Sequence, residues 1–317
     1  MTAMTAVHAP RPAQTAPAVH RSRPALILVG LIALGAAIAT ATGVWSSAGP
    51  GSTGHTSAHG ELVSLYGEGL YRYDSELVAV GSRGSDAVTL LVLLPVMLLA
   101  ARAYGRASLR AALLLSGLLG WISYYYASMA LGSALNRLLP LYVLLLGCSG
   151  WALVLVLRSV DVLALAARWP QRPPRPLLTG YLCAVVGALV LAWAPPLVTL
   201  ALEGSPPLEL DAYTTTVTPV LDLGIVAPGT VAIVLLLRRG SPLGLLLTAW
   251  MLALNTALGL ALLGQGAAQL LGDVPIATAD IVLKMASFAL LTGCAAVLLA
   301  GLLHGLGAQQ RQAAGRR

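Results

Sequence analysis

Charge is what this sequence has least of. Of its 317 residues only 10% are charged while 57% are hydrophobic, and mean hydropathy is +0.82. A soluble domain carries roughly a quarter of its residues as charges, so a soluble globular fold is excluded and an integral membrane protein is expected. Cysteine is scarce as well. The three present, Cys148, Cys183 and Cys294, all fall in apolar runs, where an odd number reads as small packing residues and not as a disulfide framework. Of the five histidines, His8 and His20 lie in the leader and His304 at the end of the last apolar run. His55 and His59, with Glu61 nearby, have a spacing that suits a metal on a helix, but Gly51, Gly54 and Gly60 surround them and favour a flexible polar loop. No Gly-x-x-x-x-Gly-Lys-Ser/Thr loop is present, so any active transport needs ion coupling or a separate energising subunit. No nucleophile and base pair stands out in the apolar runs. No catalytic residue, metal ligand or cofactor is therefore assigned, and an intramembrane enzyme is the least favoured reading.

What is there is long apolar runs. A helix crossing the hydrocarbon core needs about 20 mostly apolar residues. Eight such windows emerge: Ala25–Trp45, Ala87–Ala101, Ala111–Leu131, Leu138–Leu157, Leu177–Leu200, Val217–Leu237, Leu243–Gly264 and Pro275–Leu303. They lack the alternation of barrel strands, so an all-α polytopic bundle of about eight helices is expected. Its parts are a leader over 1–24, a first four-helix half over 25–157 with an exterior loop at 46–85, a linker over 158–176, a second half over 177–303 and a tail over 304–317. The first span, with its basic leader and the small residues Ala39, Thr40 and Ala41, also admits reading as a cleavable signal peptide, although its run continues to Trp45.

Arginine placement orients the bundle. Arg11, Arg21 and Arg23, then Arg102, Arg106 and Arg110, then Arg158, Arg168, Arg172 and Arg175, then Arg238 and Arg239, and finally Arg311, Arg316 and Arg317 fall on one side, accompanied by a single acid, Asp161. Glu61, Glu68, Asp74, Glu76, Glu203, Glu209, Asp211 and Asp273 fall on the other. The positive-inside bias makes the first side cytoplasmic, with both termini there, in a bacterial inner membrane. The net charge of +7 is thus a matter of topology and of contact with lipid headgroups, and nucleic acid is not an expected partner. In the exterior loop, Ser46 onward is Gly/Ser-rich and expected to be mobile, while Leu62–Glu76 is expected to pack back on the bundle or lie at headgroup level with Tyr66, Tyr71 and Tyr73. Tyr124, Tyr125, Tyr126 and Tyr142 read as an aromatic belt at exterior helix ends.

The two groups of four spans carry matching landmarks. Pro95 and Pro228, Arg106 and Arg239, and Ser108 and Ser241 are each 133 residues apart, and Leu131-Gly132 and Leu263-Gly264 are 132 apart. Leu146-Gly147-Cys148 matches Thr292-Gly293-Cys294 at 146, the difference being assigned to a longer Gln265–Ala279 loop. Halves of four spans enter from the same side, so a 4+4 repeat would be parallel, related by an axis along the membrane normal.

Five charges fall in or near the exterior ends of spans, where a charge at a helix centre costs roughly 2.5 to 3.5 kcal/mol on insertion scales. They are Asp86, Arg137, Asp222, Asp280 and Lys284. The repeat suggests pairing Asp86 with Arg137 and Asp222 with Lys284, while Asp280 and Lys284 are also four apart on one helix face. One reading fastens helices together; the other lines an outward-opening polar cavity. Two prolines and two glycines, Pro219, Gly224, Pro228 and Gly229, surround Asp222 and predict a kinked or broken helix.

Tyr71-Arg72-Tyr73-Asp74-Ser75, followed by Gly84-Ser85-Asp86-Ala87-Val88-Thr89-Leu90 and later by Leu221-Asp222-Leu223-Gly224-Ile225-Val226-Ala227-Pro228, resembles a group of bacterial multi-spanning membrane proteins over most of the chain from Tyr66 onward. The resemblance implies a helical membrane fold, and with no activity attached to that group it carries over no functional residue. The function expected from the residues is an ion-coupled carrier of a small solute or ion, with Asp222 as its charge-bearing residue and Lys284 as partner. The alternative is a non-catalytic subunit that organises a partner complex in the membrane.

Overall fold

A computed structural model describes residues 18–315, apart from 172, 208, 209, 273, 275 and 276 and the side chains of 309–315. The expected positions of Glu209, Asp273 and Pro275 lie outside the described residues.

The chain is mostly helical. Helix α1 (Arg23–Trp45) leads to a hairpin of β1 (Thr53–Thr56) and β2 (Leu62–Leu65). There follow α2 (Glu76–Val88) and α3 (Leu94–Tyr104), joined by a π-helical turn at Thr89–Leu93, then α4 (Leu109–Gly132), α5 (Leu139–Arg158) and the short α6 (Val162–Ala167). Next come α7 (Arg175–Glu203), α8 (Val217–Leu221) and α9 (Ala227–Arg238), the last two joined by a π turn at Asp222–Val226, and finally α10 (Pro242–Leu271) and α11 (Thr278–Gly315). Among the described residues seven helices, counting α2–α3 and α8–α9 as one each, are long and apolar enough to cross a membrane. That is the architecture of a multi-pass membrane protein.

The eighth expected window corresponds to α4, which has the length, at 24 residues, but not the hydropathy. Trp121, Ser123, Tyr124, Tyr125, Tyr126 and Ser128 lower it, and the helix tolerates them because it is packed on most sides: Leu113, Leu115, Leu119, Ile122 and Tyr126 are all fully buried.

The surface shows what the helices are built to face. On α1 the exposed stripe is Ile27, Leu31, Leu34 and Ile38, whereas the buried stripe is Ala25, Val29, Ile32, Ala36, Ala39 and Gly43. Large apolar groups outward and small ones inward is the pattern of helices that meet lipid outside and approach each other closely inside. A close backbone approach joins α2 to α10, where a Cβ on Gly84 would overlap the Gly264 carbonyl. Central α4 packs on α5, α10 and α3, and α10 in turn on α11, α2 and α9. Counterpart pairs recur: α3–α4 with α9–α10, α4–α5 with α10–α11, and α1–α3 with α7–α9. The halves differ in tightness. Helix α1 packs firmly on α5, but α7 meets α11 sparingly, and the buried residues of α7 stop at Val185, leaving none in its C-terminal half.

Three expectations need correction. The exterior loop ends at Ser75 rather than 85, because Ser75 caps α2 by accepting from the Val78 amide and Arg83 is satisfied by donating to the Val44 carbonyl at 2.8 Å and to the Tyr66 hydroxyl. The stretch around His55 and His59 is a hairpin instead of an open loop, with His55 opposite Val63. Its turn is held by the Ser57 hydroxyl, which accepts from the His59 and Glu61 amides, and by Gly60 at φ +84°, a left-handed conformation that glycine adopts at little cost. Third, residues 265–271 continue α10, so the Gln265–Ala279 insertion is a helical extension followed by a short connection.

The Gly84 contact yields a test of the packing. Gly84→Ala should lower the thermal stability of detergent-purified protein by about 1–3 kcal/mol, because backbone cannot retreat from the new methyl. Gly147→Ala, where a Cβ meets nothing within 4 Å, should leave stability unchanged.

Candidate functional site

Successive residues on a helix point about 100° apart, so three tyrosines in a row cannot share one face. On α4 this divergence decides the site. Tyr124 donates its hydroxyl to Asp222 Oδ1 at 2.8 Å, and its neighbour Tyr125 donates to Asp86 Oδ1 at 2.7 Å. Each carboxylate has a second neutral donor: Trp193 Nε1 reaches Asp222 Oδ2 at 2.8 Å, and the Tyr71 hydroxyl reaches Asp86 Oδ2 at 2.6 Å. Asp86 is 2% exposed and Asp222 7%, so both are interior groups. Helix α1 closes over Asp86 at Gly43, where any Cβ would overlap Oδ2 of the carboxylate.

Both acids sit at the π turns. Asp222 opens one, and Asp86 lies three residues before the other. The turns at Thr89–Leu93 and Asp222–Val226 are themselves 133 residues apart, and each is followed at the second residue of the next helix by a proline, Pro95 or Pro228. A π turn lets a helix accommodate a following proline by widening instead of breaking. At that offset the counterpart of Asp222 is Thr89, whose hydroxyl accepts from Trp121 Nε1 at 3.3 Å, and Asp86 stands one turn away from strict correspondence. The helix expected to kink or break at Asp222 thus widens there.

The remaining expected residues lie elsewhere. Arg137, Asp280 and Lys284 are exposed, and among the described residues neither Arg137 with Asp86 nor Lys284 with Asp222 forms an ion pair. The physical reason is donor geometry: the inner faces of α4 and α7 already present phenol and indole groups to the acids, leaving the bases at the surface. Nor are the tyrosines a belt. Tyr71, Tyr125, Tyr126 and Tyr142 are buried inside the bundle, and of the tyrosines placed at headgroup level Tyr73 is the one that is exposed. Trp121, Tyr125, Tyr126 and Tyr142 form a chain of ring contacts with centroids 5.0 to 5.7 Å apart. Within it the Tyr126 hydroxyl is buried without a hydrogen-bond partner among the described residues.

A third buried acid was not among the expected site residues. Asp74, 1% exposed, lies outside the spans and ties together the connections at one end of the bundle: its Oδ1 accepts from the Ala134 amide and the Tyr213 hydroxyl, each at 2.7 Å, while Oδ2 has no partner among the described residues. The sequence signal was weak, a lone acid in an exterior loop, because its partners lie 60 and 139 residues away.

No family model, curated protein or solved structure matches the chain. The site is therefore read from its own chemistry. Among the described residues no group of three or more His, Cys, Asp or Glu is placed to hold a metal ion. The arrangement offers two interior carboxylates with hydroxyl and indole donors, a set suited to proton exchange or to holding a cation.

Burial pushes the Asp74 carboxyl up from 3.8 to about 6, the Ala134 amide and Tyr213 hydroxyl opposing it only in part. A carboxyl with a raised pKa in the fold favours the protonated state, so its contribution to stability is greatest below about pH 4 and is lost between about pH 4 and pH 6. That is at most about 3 kcal/mol. Thermal unfolding of wild type should show stability falling over this window, and Asp74→Asn should flatten the fall.

Proposed function

We propose that the protein is a proton-coupled carrier of a small solute, with Asp86 and Asp222 as its ion-exchanging groups. One observation supports this above the others: two interior carboxylates, one in each half, are satisfied by neutral donors from adjacent residues of one central helix. In a low-dielectric interior an uncompensated charge is costly, so whatever neutralises such a carboxylate, a proton or a cation, is tightly linked to its surroundings. Tyr124 and Tyr125 move together when α4 shifts, so a change of tilt or rotation in α4 alters the hydrogen bonding of both acids at once. That is a physical link between the two halves of the kind alternating access requires. The open exterior half of α7 puts Asp222, with Trp193 and Tyr124 around it, on the side where the bundle is least packed.

In this reading α4 is the eighth span, shielded from lipid and so free to carry tyrosines. The matched π turns, the serines Ser108 and Ser241 at the N-cap positions of α4 and α10, and the recurring helix pairs support a parallel 4+4 repeat. The arginine-rich side is cytoplasmic and holds both termini, in a bacterial inner membrane.

Topology is checked by single cysteines in a background lacking Cys148, Cys183 and Cys294. An impermeant thiol reagent applied to intact cells should label Ser52→Cys and spare Arg239→Cys; the reverse pattern would invert the orientation.

Coupling is checked in proteoliposomes on a solid-supported membrane, challenged with amino acids, sugars and quaternary amines under an inward pH gradient. At least one class should give a current that a protonophore abolishes. Asp222→Asn should reduce that current at least about tenfold, the equivalent of about 1.4 kcal/mol of lost coupling, while Lys284→Met leaves it intact. A folded Asp222→Asn protein with full gradient dependence would remove Asp222 from the mechanism. Silence of wild type to every class would favour the membrane subunit instead.

A further inference from the structure

The described cavities lie at the opposite end of the second half from Asp222, on the arginine-rich face. The first, about 370 Å³, is lined by Ala166, Trp169, Pro170, Gln171, Pro173, Pro174 and Arg175. The second, about 450 Å³, shares Gln171, Pro173 and Pro174 with it and continues along Leu177 of α7 and Val297, Leu298 and Gly301 of α11. Together they make one groove with a polar, basic head and an apolar tail. Gly301 keeps the tail open: the nearest atom to a Cβ placed there is Pro173 Cδ, at 3.6 Å.

The head is equipped for an anion. Arg175 begins α7, so its guanidinium stands at the positive end of a 29-residue helix. It extends toward the α9–α10 turn, with Nη1 3.8 Å from where a Cβ of Gly240 would stand, and Arg238 and Arg239 are exposed on that turn. Trp169 lines the head with its ring, and its indole Nε1 is buried without a hydrogen-bond partner among the described residues. This chain's own terminal segments do not complement such a site: residues 1–17 and 309–317 contain arginines and no Asp or Glu. A free anion would satisfy the head and leave the apolar half unfilled.

We infer that this groove is a binding site for an anionic phospholipid, its phosphate held at Arg175 and an acyl chain laid between α7 and α11. The inference rests on the helices spanning a bilayer but not on transport, since binding is read without any solute or gradient.

The test uses the purified full chain in detergent, titrated with phosphatidylglycerol, phosphatidylcholine or inorganic phosphate, with retained lipid read by native mass spectrometry and stability by thermal unfolding. Phosphatidylglycerol should bind saturably and raise the melting temperature; phosphatidylcholine and inorganic phosphate should not. An arginine near an anionic headgroup contributes on the order of 1 kcal/mol, so Arg175→Gln should weaken phosphatidylglycerol binding about fivefold and Arg175→Lys should restore most of it. Gly301→Leu should weaken binding by filling the tail half while leaving every charge in place, which keeps the test decisive if Arg175→Gln does not fold. Equal binding of the two lipids, full binding by folded Arg175→Gln and Gly301→Leu proteins, or an equal response to inorganic phosphate would each overturn the assignment.

Discussion

The hydrogen bonds from Tyr124 to Asp222 and from Tyr125 to Asp86 are the contacts around which the interior is arranged. An acid in a membrane interior must find donors, and the donors here come from a helix that touches both halves. For α4 to supply them it has to be surrounded by protein, which is why it carries glycines of its own at the contacts with α10: Gly117 meets Ala253, and Gly120 meets Trp250. The polarity of α4 and the close packing of the bundle centre are thus one constraint seen from two sides. Remove the close packing and the tyrosine run would face lipid; remove the tyrosines and both acids would lose a partner.

The same constraint accounts for the difference between halves. Around Asp86 the shell is complete, with Tyr71 brought in from the exterior connection and Gly43 of α1 pressed on the carboxylate. Around Asp222 the second donor, Trp193, sits on a helix whose C-terminal half has no buried residue. An acid held by a loosely packed helix is the one that can change partners at small cost, whereas breaking the shell of Asp86 would disturb α1, α2 and α4 together. In the proton-coupled reading, this divides the labour between a mobile group and an anchored one.

Directional bonds hold both ends of the bundle. The end that carries the hairpin is knitted by Asp74 to Ala134 and Tyr213, Arg83 to Val44 and Tyr66, and Ser46 to the Leu70 amide at 2.7 Å. At the arginine-rich end the His20 amide donates to the Ser159 carbonyl at 2.8 Å and the Ser22 amide to the Tyr104 hydroxyl at 2.9 Å, beside a six-residue α6 capped by Asp161 and a groove between α7 and α11.

The membrane class and the approximate course of the spans were legible in the sequence because hydropathy is a local property: a window of about 20 apolar residues reads the same whatever packs on it. Prolines at a common offset of 133 also marked, without any tertiary information, where both π turns stand. Which donors the acids meet was not legible. Tyr125 and Asp86 are 39 residues apart, Tyr124 and Asp222 98, so charge signs and register suggested Arg137 and Lys284, whereas helix rotation selected tyrosine and tryptophan. The first turns of α2 escaped hydropathy because Arg83 and Asp86 are bonded by groups distant in the chain. Composition along the chain determines what must leave water; the rotation and close approach of the helices, which no local window contains, decide which polar groups meet once it has left.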